Sequence, residues 1–219
     1  MRSGLTAFSP PITKAHPLAS FSDFALLAPL KRALDSEGYT TPTPIQIQAI
    51  PHGIAGRDLL GIAQTGTGKT CAFALPILQR LGKSGTTRKP GTCRALILSP
   101  TRELASQIAD SFRAYGKFMH LSIDVVFGGV PINRQIKRLE AGADILVATP
   151  GRLLDLVNQK ALRLNELDIF VLDEADQMLD LGFIVPLKRI NAMLPKKRDR
   201  KSTRLNSSHE VPSRMPSSA

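Results

Sequence analysis

Five short apolar runs, separated by stretches of helical periodicity, constrain this chain more than any other feature. They fall at 59–63, 95–98, 125–127, 145–148 and 169–172. A strand with one wet face alternates apolar and polar residues; an unbroken run must be covered on both faces. Such strands suit a mostly parallel sheet, whose crossover connections supply covering helices. The intervening segments fit: Leu104, Ile108, Phe112 and Tyr115 recur at helical spacing after Thr101. Leu26, Leu27, Leu30 and Leu34 do the same after Phe21, with Gly38 placed to end that helix. The fold class expected is α/β, with helices on both faces of the sheet.

A length of 219 residues allows one such domain with tails. The 42% hydrophobic and 21% charged content excludes a wholly disordered chain. No apolar run reaches the ~20 residues that span a bilayer, so no membrane partner is expected. Cys71 and Cys93 are too few for a disulfide framework or a zinc site and fit a reducing, cytoplasmic compartment. Lys+Arg of 29 against Asp+Glu of 18 gives a net charge of +11, which suits a polyanionic partner but equally a basic surface. Residues 1–19, with Pro10, Pro11 and Pro17, read as a flexible tail. The Gly- and charge-rich 82–92 reads as an exposed loop, and the 196–198 basic cluster as a solvated one. Residues 199–209 and 213–219 are what a common sequencing-library adapter would encode, with 210–212 spanning its variable index. The segment 199–219 is therefore expected to be non-native and is set aside from fold reasoning.

The segment AQTGTGKT, at 63–70, follows an apolar run and precedes a helical one. That is the setting in which a glycine-rich loop cradles phosphates. Gly66 and Gly68 let backbone N–H groups turn toward phosphate oxygens, and a helix N-terminus adds its positive end. Lys69 can place charge on the β- and γ-phosphates, and the Thr70 hydroxyl can ligate Mg²⁺. The general pattern begins with Gly, where this chain has Ala63.

A second apolar run, IFVLDEAD, ends in acids. Asp173 at the strand tip suits Mg²⁺ held through water. Glu174 suits a general base on the attacking water, a role typically worth ~10² to 10⁴ in rate. Acids also favour a helix's first turn for purely structural reasons. With the phosphate loop upstream, the pair points to a nucleotide triphosphatase core.

These residues resemble the DEAD-box RNA helicases. AQTGTGKT, PTRELASQ at 100–107, TPGR at 149–152 and DEAD at 173–176 stand in that family's order, and GYTTPTPIQ at 38–46 resembles its Q motif. The likeness covers nearly all of 20–198, and DLLGIAQTGTGKT, VATPGRLLDL and VLDEADQMLDLGF are most like the bacterial RhlE-type subgroup. It implies a P-loop RecA-like domain over 48–198, preceded by a Q-motif region at 20–47. It implies nucleotide contacts from Phe21, Tyr39, Gln46, Ala63, Gln64, Thr65, Gly66, Thr67, Gly68, Lys69 and Thr70. Gln46 would read the adenine edge and Phe21 would stack on the base. On the residues alone, Phe21 has a hydrophobic staple as its alternative, and Gln46 reads first as a surface residue at a helix start. RNA sugar-phosphate contacts are implied for Pro100, Thr101, Arg102, Gly128, Gly129, Thr149, Pro150, Gly151 and Arg152. Thr101 and Thr149 could also simply cap helices. Lys69 and Glu174 would be catalytic, Thr70 and Asp173 would hold Mg²⁺, and Asp176 would couple ATP state to RNA state.

The implied function is an ATP-dependent RNA helicase that remodels short duplexes, with RNA read through its backbone and ribosomal or RNA-decay complexes as possible settings. The family's serine–alanine–threonine motif and second lobe are not in the sequence, and that lobe carries an arginine finger typically worth ~10³ to 10⁵ in turnover. The chain is therefore expected to be a single lobe, incomplete at its C-terminal end, with an open sheet edge and little activity alone. Two rivals remain: another P-loop ATPase such as a DNA translocase, and a single-lobe binding module without turnover. Cys71 reads as a small core residue, and His16, His52 and His120 lack ligand spacing.

Overall fold

The computed structural model describes residues 20–62, 66–195 and 205–206. The expected tail at 1–19, Ala63–Gln64–Thr65 of the phosphate loop, the 196–198 cluster and most of 199–219 lie outside the described residues. A 3-10 turn, Phe21–Asp23, comes first, capped reciprocally by Ser20 and Asp23. Then come helices α1 (Ala28–Ser36) and α2 (Pro44–Ile54), strand β1 (Leu59–Leu60) and helix α3 (Lys69–Lys83). Strand and helix alternate from there: β2 (Cys93–Leu98), α4 (Arg102–Tyr115), β3 (Ile123–Val126), α5 (Ile132–Leu139), β4 (Ala143–Ala148), α6 (Pro150–Asn158) and β5 (Ile169–Leu172). Helices α7 (Ala175–Asp180) and α8 (Ile184–Met193) precede the two-residue strand β6 (Leu205–Asn206).

The sheet order is β1-β6-β5-β2-β4-β3, with every pair parallel. Burial on both faces explains the unbroken apolar runs. Ile97, Val147 and Val171 pack with Leu30, Phe73 and Phe112 of α1, α3 and α4. Leu96, Leu146 and Phe170 pack on the other side with Leu153 of α6, Met178 of α7 and Ile190 of α8. No helix among the described residues is long and apolar enough to cross a membrane.

Three expectations need correction. Segment 59–63 yields only a two-residue strand, because β1 lies at the sheet edge with β6 as its one neighbour, and Leu60 and Ile62 are each 56% exposed. Leu26 and Leu27 precede α1 rather than lying in it; Pro29 sits at the helix start, where its missing N–H costs nothing. The sheet is not open between β5 and β1: Leu205–Asn206, from the segment set aside above, pair in parallel with both. Their main-chain groups complete a ladder that would otherwise leave donors and acceptors unpaired.

Candidate nucleotide and RNA site

Strand register decides where the motifs meet. Leu98 of β2 lies opposite both Ala148 of β4 and Leu172 of β5. The next residue of each strand is tied to its neighbour: Ser99 N–H donates to the Ala148 carbonyl at 3.0 Å, Thr149 N–H to Val126 at 3.1 Å and Asp173 N–H to Leu98 at 2.9 Å. The loops at 99–102, 127–131, 149–152 and 173–176 thus leave one carboxyl edge, as does the loop after β1. That edge is where open α/β sheets bind ligands.

In the phosphate loop, Gly66 and Gly68 have φ of 81° and 88°, which only glycine adopts without strain. Gly68 caps α3, so Lys69 and Thr70 fall in the first turn, where N–H groups lack intrahelical partners. Helix α2 braces this loop. Pro44 and Thr43 start the helix, and the Thr43 N–H donates to Gln46 Oε1 at 2.9 Å. Thr43 Oγ1 donates to the Thr67 carbonyl at 2.8 Å, and Gln46 Nε2 donates to the Gly68 carbonyl at 3.2 Å. Gln46 is therefore buried, not a surface residue. A carboxamide has two donors and two acceptor sites, so these bonds leave one of each for a base edge. A side chain at position 68 would collide with Gln46 Nε2.

Phe21 is 4% exposed, edge-on to Phe24 at 5.9 Å and to Tyr39 at 5.8 Å. Tyr39 packs edge-on against Tyr115 at 5.6 Å, and their hydroxyls are 2.8 Å apart. Burial pushes the Tyr115 phenol above its ordinary range, and the Tyr39 hydrogen bond adds to this. Phe21 is thus part of an aromatic chain tying the first turn to α4.

At the tip of β5, Asp173 is buried and Asp176 half-buried in the first turn of α7. Glu174, at the cap of that helix, has φ 52° and ψ 53°. Caps are normally extended, and a side-chain-bearing residue in the left-handed region costs roughly 1–2 kcal/mol. Such strain persists only where the surroundings fix it, and it clusters at functional sites.

On the other loops, Thr101 Oγ1 accepts from the Leu104 N–H at 3.2 Å and caps α4. Thr149, at the start of α6, makes no such cap bond. Arg102 is exposed and pairs with Glu103 at 2.8 Å, a hydrogen bond that holds the Glu103 carboxyl below its ordinary range. Gly129 has φ 81°, and a Cβ there would lie 3.1 Å from Arg102 Nη1. Gly128, Gly129 and Gly151 are exposed, whereas Pro100 and Pro150 are buried. Arg152 turns inward: Nη1 and Nη2 each donate to the Val130 carbonyl at 3.1 Å, and Nη1 also donates to Gln135 Oε1 at 3.1 Å. The resemblance implies an RNA sugar-phosphate contact from Arg152; here its terminal nitrogens donate to protein oxygens. Gln135 was not singled out from the sequence. It had a signal: Ile132, Gln135, Ile136 and Leu139 share one helix stripe, and an amide on an apolar stripe needs partners.

Behind the loop, Cys71 is buried, and burial pushes its thiol up to about 12, which fits packing rather than redox chemistry.

A family model described as DEAD/DEAH box helicase matches residues 43–207. The chain is 42% identical over 178 residues to the DEAD-box ATP-dependent RNA helicase CshA of Streptococcus pneumoniae, covering 81% of this chain and 33% of that protein. It is 47% identical over 180 residues to the ATP-dependent rRNA helicase RRP3 of Ajellomyces capsulatus, covering 82% and 36%. The crystal structure of a DEAD box protein from the hyperthermophile Methanococcus jannaschii superposes with a TM-score of 0.79 at 35% identity, covering 88% of this chain and 50% of that one. The chain spans about a third of the length of the curated relatives it matches. With its phosphate loop, acid-tipped strand and the loops at 99–102 and 149–152 on one sheet edge, the chain belongs to the DEAD/DEAH box helicase family.

Proposed function

We propose that this chain is the ATP-binding lobe of an ATP-dependent RNA helicase. It would hold ATP with Mg²⁺ at 63–70 and RNA sugar-phosphate across 100–102, 128–129 and 149–151. The observation that carries this reading is the shared register of β2, β4 and β5, which sends the acid tip and the loops at 99–102 and 149–152 from one edge. The names of the relatives, helicases acting on RNA and rRNA, support it.

The residues fit the cofactor. The left-handed glycines and the first turn of α3 offer N–H groups to phosphates, and Lys69 adds charge. Thr70 and Asp173 are hard oxygen donors suited to Mg²⁺, the carboxylate through water. The described residues contain no group of three or more His, Cys, Asp or Glu that could hold a metal, so phosphate and water would complete the shell. Bound magnesium would neutralise phosphate charge during transfer. Glu174 is the group to orient and deprotonate the attacking water, and Asp176, two residues on, the group to relay that state toward the RNA loops. Hydrolysis and duplex remodelling belong to a longer protein with a second lobe; this lobe alone should bind nucleotide weakly. Ribosomal or RNA-decay complexes are the settings proposed for the longer protein. Two buried free thiols suit a reducing, cytoplasmic setting.

The test is titration of the chain with fluorescent ATP and GTP analogues in Mg²⁺, and with single-stranded RNA and DNA. Preference for ATP and RNA, with ATP binding lost in Lys69→Ala, is expected. Equal use of DNA would favour a translocase. RNA binding indifferent to Lys69→Ala, with no turnover in any longer form, would favour a binding module.

A further inference from the structure

The exposed glycine pair at 128–129 is held at both shoulders by side chains. Gln135 Nε2 donates to the Phe127 carbonyl at 3.0 Å, just before the pair. The Arg152 guanidinium takes the Val130 carbonyl, just after it, through two bonds of 3.1 Å. The two clamps are themselves joined, Arg152 Nη1 donating to Gln135 Oε1 at 3.1 Å. Gln135 is 5% exposed and the Arg152 side chain 10% exposed, so neither is placed to meet a ligand first. Arg152 Nε faces Asp155 at 3.7 Å, beyond hydrogen-bond distance, which leaves the terminal nitrogens as its working donors.

We infer that Gln135 is a positioning residue for RNA binding, and that Arg152 acts through it rather than on phosphate directly. Together they fix the Phe127–Val130 turn so that Gly128 and Gly129 present their backbone beside Arg102. The inference rests on the RNA reading above and deepens it. The chemistry favours it in two ways. Glycine backbones are free to move unless their flanks are tied. A planar guanidinium with two parallel donors fixes a carbonyl in a way that an ammonium cannot.

The experiment uses the full chain in two readouts. Amide ¹⁵N order parameters without RNA report the clamp; titration with a labelled single-stranded oligouridylate reports its consequence. In Gln135→Leu, loss of the bond to Phe127 should lower the order parameters of the 128–130 amides from about 0.85 to below about 0.6. Amides of β4 should keep theirs. RNA affinity should fall about tenfold, the effect of one buried hydrogen bond, with ATP-analogue affinity within about twofold. Arg152→Lys keeps the charge and loses the fork, so it should reproduce both effects; a direct phosphate contact would instead largely survive it. If Gln135→Leu does not fold, Arg152→Lys and Gln135→Asn, which is too short to span both partners, carry the test. Unchanged order parameters at 128–130, or order lost evenly through the domain, overturn the inference. Wild-type chain that binds no RNA sinks the RNA reading, while the order parameters still decide whether the clamp exists. Lower loop order with undiminished RNA affinity overturns the positioning role.

Discussion

The turns at 66–68 and 127–130 both carry left-handed glycine at the carboxyl edge of one sheet, yet they are held differently. The first is braced from outside the sheet's alternating units, by Thr43 and Gln46 of α2 reaching the Thr67 and Gly68 carbonyls. The second is braced from within those units, by Gln135 of α5, the next helix, and by Arg152 of α6, the helix after β4. The common element is which backbone group is taken. In both turns side-chain donors occupy carbonyls, and phosphate needs N–H donors. Each brace removes acceptors from a surface meant for anions. The difference lies in independence: the nucleotide turn depends on a segment that precedes the sheet, and the RNA-facing turn on two helices of the sheet's own alternating units.

The largest test of that independence is Gly68→Ala. A Cβ there meets Gln46 Nε2 and must adopt φ near 88°. Left-handed strain of roughly 1–2 kcal/mol plus displacement of Gln46 should lower ATP-analogue affinity by about tenfold or more. RNA titration should stay within about twofold of wild type. An equal loss of both would mean the turns share one brace.

Gln46→Ala comes next. It removes the acceptor for the Thr43 N–H and the donor to Gly68 together. Urea unfolding should show a loss of about 1–2 kcal/mol, with a smaller fall in nucleotide affinity than for Gly68→Ala. Thr101→Ala should cost about 1 kcal/mol through the lost cap on Leu104, restored by Thr101→Ser, with nucleotide affinity unmoved.

Legibility from sequence followed the same divide. The parallel sheet was readable because buried strands have few polar residues, and the glycine and acid motifs because their spacing encodes turns. Strand starts were not. β2 and β4 each begin before their apolar runs because Arg94 and Asp144 form a buried pair at 2.9 Å inside the sheet. Each residue alone breaks the apolar pattern, and only pairing makes them strand-compatible. The braces were hidden for a related reason. Gln46, Gln135 and Arg152 look like surface groups until the carbonyls they satisfy are known, and those lie at sequence separations of 22, 8 and 22 residues. Phe21 has the spacing of a stacking platform, and its packing against Tyr39 was equally hidden in the sequence.

The two thiols give the smallest effect and separate the sheet's two layers. Cys71 belongs to the core cluster under α3 and α4, and Cys93 to the one under α6 and α8. Burial pushes each from 9.0 up to about 12. A raised thiol favours the folded state fully below pH 9.0, where both states are protonated, and that contribution is lost as pH rises toward about 12 because the unfolded chain ionises first. Raising pH from about 7 to about 9 should therefore cost about 0.4 kcal/mol per thiol, and Cys71→Ala or Cys93→Ala should each abolish its own share. Iodoacetamide labelling at mild urea concentrations then reads which layer opens first. With the nucleotide turn braced by α2, adding an ATP analogue should protect Cys71 more than Cys93. Equal protection of both thiols would show that the layers open as one unit, and the independence argued for the two turns would not extend below the surface.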